Sequence, residues 1–318
     1  MTKEYIKKGL DFLFDNKTVK QIVIFSYNAH DGIKRLNINK NLLDIMLIYF
    51  TDSIRDRMIS AEYDIQDYSS ADRRNNSYYR YDLDEKPTGF SVFTDVLGPN
   101  IPVFSFEHDS IREIKKILIV ISTGKESVVL YKDVFEFEKY LAQGSFLISK
   151  HKDRFDRVEN DILKINTDFQ IIKLKDDFIG LSLNCFEKCF KLDQVLKNEA
   201  AKGVVSVTSM VLDTCYLAEW ANSDPSIRKQ LISLKSSPVF TLKDDAEIRC
   251  ISDRDVIDYI QKNADICGKI DIHDGKVIIK NKSAAKRFLK VLNDDYFKSG
   301  LTKVVYEILS KKKDKYNS

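Results

Sequence analysis

The chain has 318 residues, 43% of them hydrophobic, with 19 Phe and 15 Tyr. That is enough for two domains of ordinary size with real cores, and it excludes wholesale disorder and collagen-like or low-complexity architecture. Lys and Arg number 51 against 48 Asp and Glu, a formal +3, so net charge alone marks no nucleic-acid binder.

In chain order, residues 3 to 15 predict a short amphipathic helix with Ile6, Leu10 and Leu13 on one stripe. Val19 to Tyr27 is β-branched and aromatic, a strand. Asn39 to Glu62 predicts a long helix, and 66 to 77 a polar loop. Tyr78 to Tyr81 and Phe90 to Phe93 predict strands around a Lys86-Pro87 turn. KKILIVI and SVVLYK flank Thr123 to Glu126 as a hairpin, and 134 to 142 predicts a short helix.

Residues 149 to 157 are dense in charge and lack apolar periodicity, which sets the expected domain boundary: 1–148 and 149–318. Gln170 to Leu174 and Phe178 to Leu183 then form a hairpin around 175 to 177. A helical run spans about 184 to 235, broken where Asp224 before Pro225 fits an N-cap with Pro at the first helical position. Asp253 to Lys262 is a helix, KIDI and KVIIK pair around His273-Asp274-Gly275, Ser283 to Leu292 is a helix, and Val304 to Leu309 is apolar. Helices mixed with largely antiparallel hairpins make this an α+β protein of two domains.

The N-terminus lacks the pattern of a signal peptide, and the most apolar stretch, Leu42 to Phe50, is far short of the roughly 20 residues that span a bilayer. A cytoplasmic location is expected, with any membrane contact made through a partner. Five cysteines at irregular spacing read as reduced thiols, and Cys185 with Cys189 lacks a second ligand pair for zinc.

No nucleophile elbow, phosphate loop or metalloprotease motif occurs, and the four His (30, 108, 151, 273) lie in turns or polar stretches. No catalytic residue, metal or cofactor is assigned. The acids weighed for a Mg²⁺ site are Asp176-Asp177, Asp244-Asp245, Asp294-Asp295 and Glu136/Glu138 beside Lys139; the first two pairs sit where solvated turn acids belong.

The C-terminal end differs. From Ile279 to Ser318 there are eleven Lys/Arg against four Asp/Glu, a local +7 that leaves −4 for the preceding 278 residues. At 100° per residue, Lys282, Lys286, Arg287 and Lys290 fall within about 140° of arc, with Ala284, Phe288 and Leu292 on the opposite side. Such a ridge reaches successive phosphates with little sequence preference. Lys280, Lys298 and Lys311, Lys312 and Lys313 add to it. An isolated charge run is otherwise a solvated face. A second basic-aromatic cluster, Arg73, Arg74, Tyr78, Tyr79, Arg80 and Tyr81, reads as an ordinary exposed loop entering a strand.

The run Leu292-Asn293-Asp294-Asp295-Tyr296-Phe297, then Lys298 to Thr302, Tyr306 and Ser310-Lys311, resembles the closing motif of the KwaB-like family of the bacterial Kiwa anti-phage defence system. The stretch from Arg154 to Phe190 resembles the family's middle segment, and the length matches. Phe297 departs from an expected aliphatic residue. The resemblance covers about the last 165 residues clearly. It implies a non-catalytic effector that binds DNA and blocks phage replication and transcription, a small integral-membrane partner of the KwaA type at the inner face of the membrane, and a homodimer or higher homo-oligomer. Within the motif Asp294, Asp295, Ser299, Thr302 and Tyr306 are expected to position the loop after the basic helix. The competing readings are a metal-dependent nuclease using the C-terminal acids and a module docking on protein or lipid.

Overall fold

A computed structural model describes residues 2–28, 31–70, 76–140, 148–151, 154–157, 160–237, 240, 252–264, 270–298 and 305–307. The chain is α+β and forms two compact units, 1–65 with 75–81 and 88–190, and 66–74 with 82–87 and 191–318.

The first unit contains α1 (Lys3–Phe14), β1 (Gln21–Asn28), β2 (Gly32–Arg35), α2 (Lys40–Ile54), β3 (Asp64–Asp67, its last two residues falling in the second unit), β4 (Ser77–Arg80), α3 (Val92–Asp95), β5 (Lys116–Ser122) and β6 (Ser127–Asp133). It continues through β7 (Lys139–Tyr140), β8 (Ile148–His151), β9 (Arg154–Arg157), β10 (Ile162–Leu163), β11 (Ile171–Leu174), β12 (Asp177–Gly180) and α4 (Cys185–Phe190). Eight strands make one sheet in the order β2-β1-β5-β6-β11-β12-β4-β3. Ile119 stands opposite Ile24 on one side and Leu130 on the other, in antiparallel register.

Strands β5 and β6 are apolar on both faces because both faces are covered. Ile117, Ile119, Ile121, Val128 and Leu130 join Ile6, Leu10 and Leu13 of α1 and Phe50 and Ile54 of α2 in one core. Tyr131 and Phe178 join the aromatic cluster of Phe90, Phe93 and Phe190. The β5–β6 turn carries Gly124 at φ 85°, and the β11–β12 turn carries Lys175 at φ 54°.

Several expectations are corrected here. Phe90 to Phe93 is a 3-10 turn (Thr88–Ser91) running into α3, not a strand. A helical turn points Phe90 and Phe93 into the same cluster, and a Cβ at Gly89 would meet the Phe190 ring at 2.8 Å. The expected helix at 134–142 is a 3-10 turn, Glu136–Glu138, leading into β7. The polar loop at 66–77 includes the end of β3 and the start of β4. Within the charged stretch 149–157, β8 pairs with β9 in antiparallel register. Strand β11 pairs with β6, which ties 171–174 to the first sheet.

The second unit contains α5 (Asp193–Ser206), α6 (Cys215–Ser223), α7 (Pro225–Ser233), α8 (Asp253–Lys262), β13 (Asp271–His273), β14 (Lys276–Ile278), α9 (Lys282–Leu292), β15 (Tyr296–Lys298) and β16 (Val305–Glu307). Helix α7 is its centre, packed by α5, α6 and α9. Asp224 caps α7 with Pro225 at its first turn, as the sequence predicts. The β13–β14 turn holds Asp274 and Gly275 at φ 49° and 71°, the left-handed pair that an Asp-Gly hairpin uses.

Candidate nucleic-acid interface

Helix α9 begins at Asn281, whose Oδ1 accepts from the Ala284 N–H at 2.9 Å. Ala285, Phe288, Leu289, Val291 and Leu292 are buried against the second unit's core. The sequence put Ala284 on that face; the structure buries Ala285 and leaves Ala284 half-exposed. The cations stand on the opposite side: Lys282 and Arg287 exposed, Lys286 and Lys290 half-buried.

The ridge is anchored. Asp224 Oδ2 lies 3.3 Å from Lys286 Nζ and 3.7 Å from Lys282 Nζ, while its Oδ1 accepts from the N–H groups of Ser226 and Ile227 at 3.0 and 3.2 Å. Partial burial pushes the Asp224 carboxyl up, but the Ile227 N–H and Lys286 outweigh it and hold the group below the usual aspartate range. Asp224 is thus shared by Lys286 and Lys282, two of the ridge's cations. Among the described residues no ion pair holds Arg287. Lys280 is paired with Asp271 at 2.8 Å.

The end of α9 explains the acidic pair. Asp294 sits at φ 55°; its N–H reaches Val291 O and the Asp295 N–H reaches Lys290 O, both at 2.9 Å. Those two bonds are a Schellman motif, with Asp294 in the left-handed position that glycine usually takes. Asp294 thus forms the left-handed exit of the helix. Lys298 and Tyr306 lie on the paired strands β15 and β16, with Phe297 opposite Tyr306. Ser299, Thr302, Lys311, Lys312 and Lys313 lie outside the described residues.

Sequence reasoning missed Asn293. Its buried amide donates to Gln230 O at 3.0 Å and Leu289 O at 2.9 Å, and its Oδ1 accepts from Ser233 Oγ at 3.0 Å. It locks the end of α9 to α7. The signal available was an Asn directly after the last apolar position, which fits a helix end and says nothing about its partner.

The other acids are not brought together. Asp177 accepts from Tyr5 OH at 3.0 Å at a hairpin turn, and Asp244-Asp245 lies outside the described residues. Glu138 is buried against Lys132, whereas Glu136 is exposed between Lys139 and Lys115, which hold its carboxyl below the usual range. Cys185 and Cys189 are free and buried, and burial pushes the Cys189 thiol up. Among the described residues no three His, Cys, Asp or Glu side chains are grouped to hold a metal ion, and no helix is long and apolar enough to cross a membrane.

No solved structure matches the chain. The Kiwa protein KwaB of Escherichia coli O55:H7 (strain RM12579 / EPEC) is 24% identical over 98% of this chain and 98% of its own length. The family model described as Kiwa protein KwaB-like matches residues 111–302, a span that takes in the central strands, the anchored basic helix and its Asn-Asp-Asp exit. With more than half of its length covered, the chain belongs to the KwaB-like family of Kiwa proteins.

Proposed function

We propose that the protein is the DNA-binding component of a Kiwa anti-phage defence system. It binds DNA without strong sequence preference and acts by occupying phage DNA, blocking replication and transcription. The observation that carries this reading is the cationic face of α9, where Lys282 and Arg287 are exposed and Lys286 is half-buried on a helix whose other side is buried. A helix held that firmly presents its charges at fixed spacing, so phosphates are bound without ordering a loose chain.

The test is a salt titration of duplex DNA binding by the full chain, with Mg²⁺ and with EDTA, read also on a gel for cleavage. Log affinity is expected to fall linearly with log salt while the DNA stays intact. Arg287→Glu, which disturbs no ion pair among described residues, is expected to weaken binding and reduce the salt slope by about 1. Unchanged binding removes the site assignment. Mg²⁺-dependent cleavage favours the nuclease, and no binding at low salt favours a protein- or lipid-docking module.

The reading includes a small integral-membrane partner of the KwaA type, which would bring the chain to the inner face of the membrane. It also includes a homo-oligomer. The surface best suited to a second copy is α2, where Leu42, Ile45, Ile48 and Tyr49 are exposed along one stripe. An antiparallel pairing about a two-fold axis would set Ile45 of one copy against Ile48 of the other.

A further inference from the structure

The chain's single tryptophan, Trp220, lies in the unit that carries the basic ridge. Helix α6 buries Leu217 and Ala221, leaves Tyr216 exposed and holds Trp220 half-buried. Tyr216 is 54% exposed, and the two rings stack nearly parallel, 5.8 Å apart at 21°. A Trp that only filled core would be closed off from solvent, whereas Trp220 keeps part of its surface open and stacks on an exposed Tyr.

Position matters more than exposure. Tyr216 and Trp220 are four apart on α6, and Asp224, at its C-terminal end, donates its N–H to Trp220 O at 2.7 Å. The Asp224 carboxylate is the one that Lys286 and Lys282 hold, so the aromatic pair and the cationic ridge are joined through one residue. Helix α6 itself carries one acid, Glu219.

That combination suits one class of ligand. Aromatic rings beside a positive track bind single-stranded nucleic acid, because an unpaired base offers its π-face for stacking while the backbone follows the charges. In a duplex the faces are already stacked on neighbours. We propose that Tyr216 and Trp220 stack on unpaired bases of single-stranded DNA whose phosphates run onto Lys286, Lys282 and Arg287. The inference rests on the DNA-binding reading above and adds the strand form: the protein prefers exposed single strands, such as those at replication forks.

Trp220 is its own reporter. Titrating the full chain with oligo(dT) is expected to quench tryptophan fluorescence to saturation, with the signal recovered by salt. Trp220→Ala and Tyr216→Ala are each expected to weaken binding of labelled oligo(dT) roughly tenfold or more, with duplex affinity unchanged. Trp220→Phe keeps a ring and is expected to retain most of the affinity. Thermal melts of each variant confirm folding. Duplex binding with no quenching, or oligo(dT) affinity indifferent to Trp220→Ala, overturns this inference and leaves the ridge assignment standing. Equal loss on both DNA forms also overturns it. No binding of either form by the unaltered chain overturns both.

Discussion

Lys132 and Glu138 are each 2% exposed and joined at 2.7 Å. Lys132 also donates to Asn166 Oδ1 at 2.6 Å, and Glu138 accepts from the Asn166 amide at 3.2 Å and the Phe135 N–H at 3.0 Å. The charges are fully satisfied, so removing one partner strands the other in the core. Glu138→Ala is expected to cost about 3–5 kcal/mol in denaturant unfolding, whereas the double change Lys132→Met with Glu138→Leu is expected to recover most of it. A double variant as unstable as the single one contradicts this account. The sequence set Glu138 beside Lys139 as a possible metal site; its true partner lies six residues back across a turn. At Asp294 the backbone decides. Its left-handed φ costs a β-branched residue about 1–2 kcal/mol, so Asp294→Val is expected to lower the melting temperature and Asp294→Gly to leave it unchanged or raised. A drop with Gly as large as with Val would point instead to a role for the carboxylate.

At the scale of elements, helices are set by caps and stripes, and their partners by close approach. Helix α8 has its bounds as predicted because Ser252 and Asp255 form a capping box. Helix α2 stops short of the predicted Glu62, since Arg55 to Ser60 winds as a π-helix. Helices α5 and α7 cross almost backbone to backbone: a Cβ at Gly203 would lie 2.4 Å from Leu231 O. The exposed stripe of α2 carries its own prediction. Ile45→Glu is expected to shift the protein to monomer in light scattering with its melting temperature kept, because the side chain faces solvent within one chain. An unchanged mass would remove α2 as the self-interface.

Across the whole molecule, the sequence alone determined much. It showed the α+β class, the three hairpins at 123–126, 175–177 and 273–275, the Asp224-Pro225 helix start and the cationic face of α9, because each rests on local periodicity, turn chemistry or capping. The KwaB-like motif was legible for the same reason, being contiguous in the chain. Other features needed the tertiary structure. The place of 171–180 in the first unit depends on a strand pairing with β6 forty residues earlier. Phe90 to Phe93 is helical where a distant ring, Phe190, packs on Gly89 and on Phe90 and Phe93. Asn293 gained its role from α7, and half the ridge was found tied to Asp224 some sixty residues away. Pattern and propensity are written within a few residues of each other; pairing, burial and charge neighbours are settled only when remote segments compete for the same space.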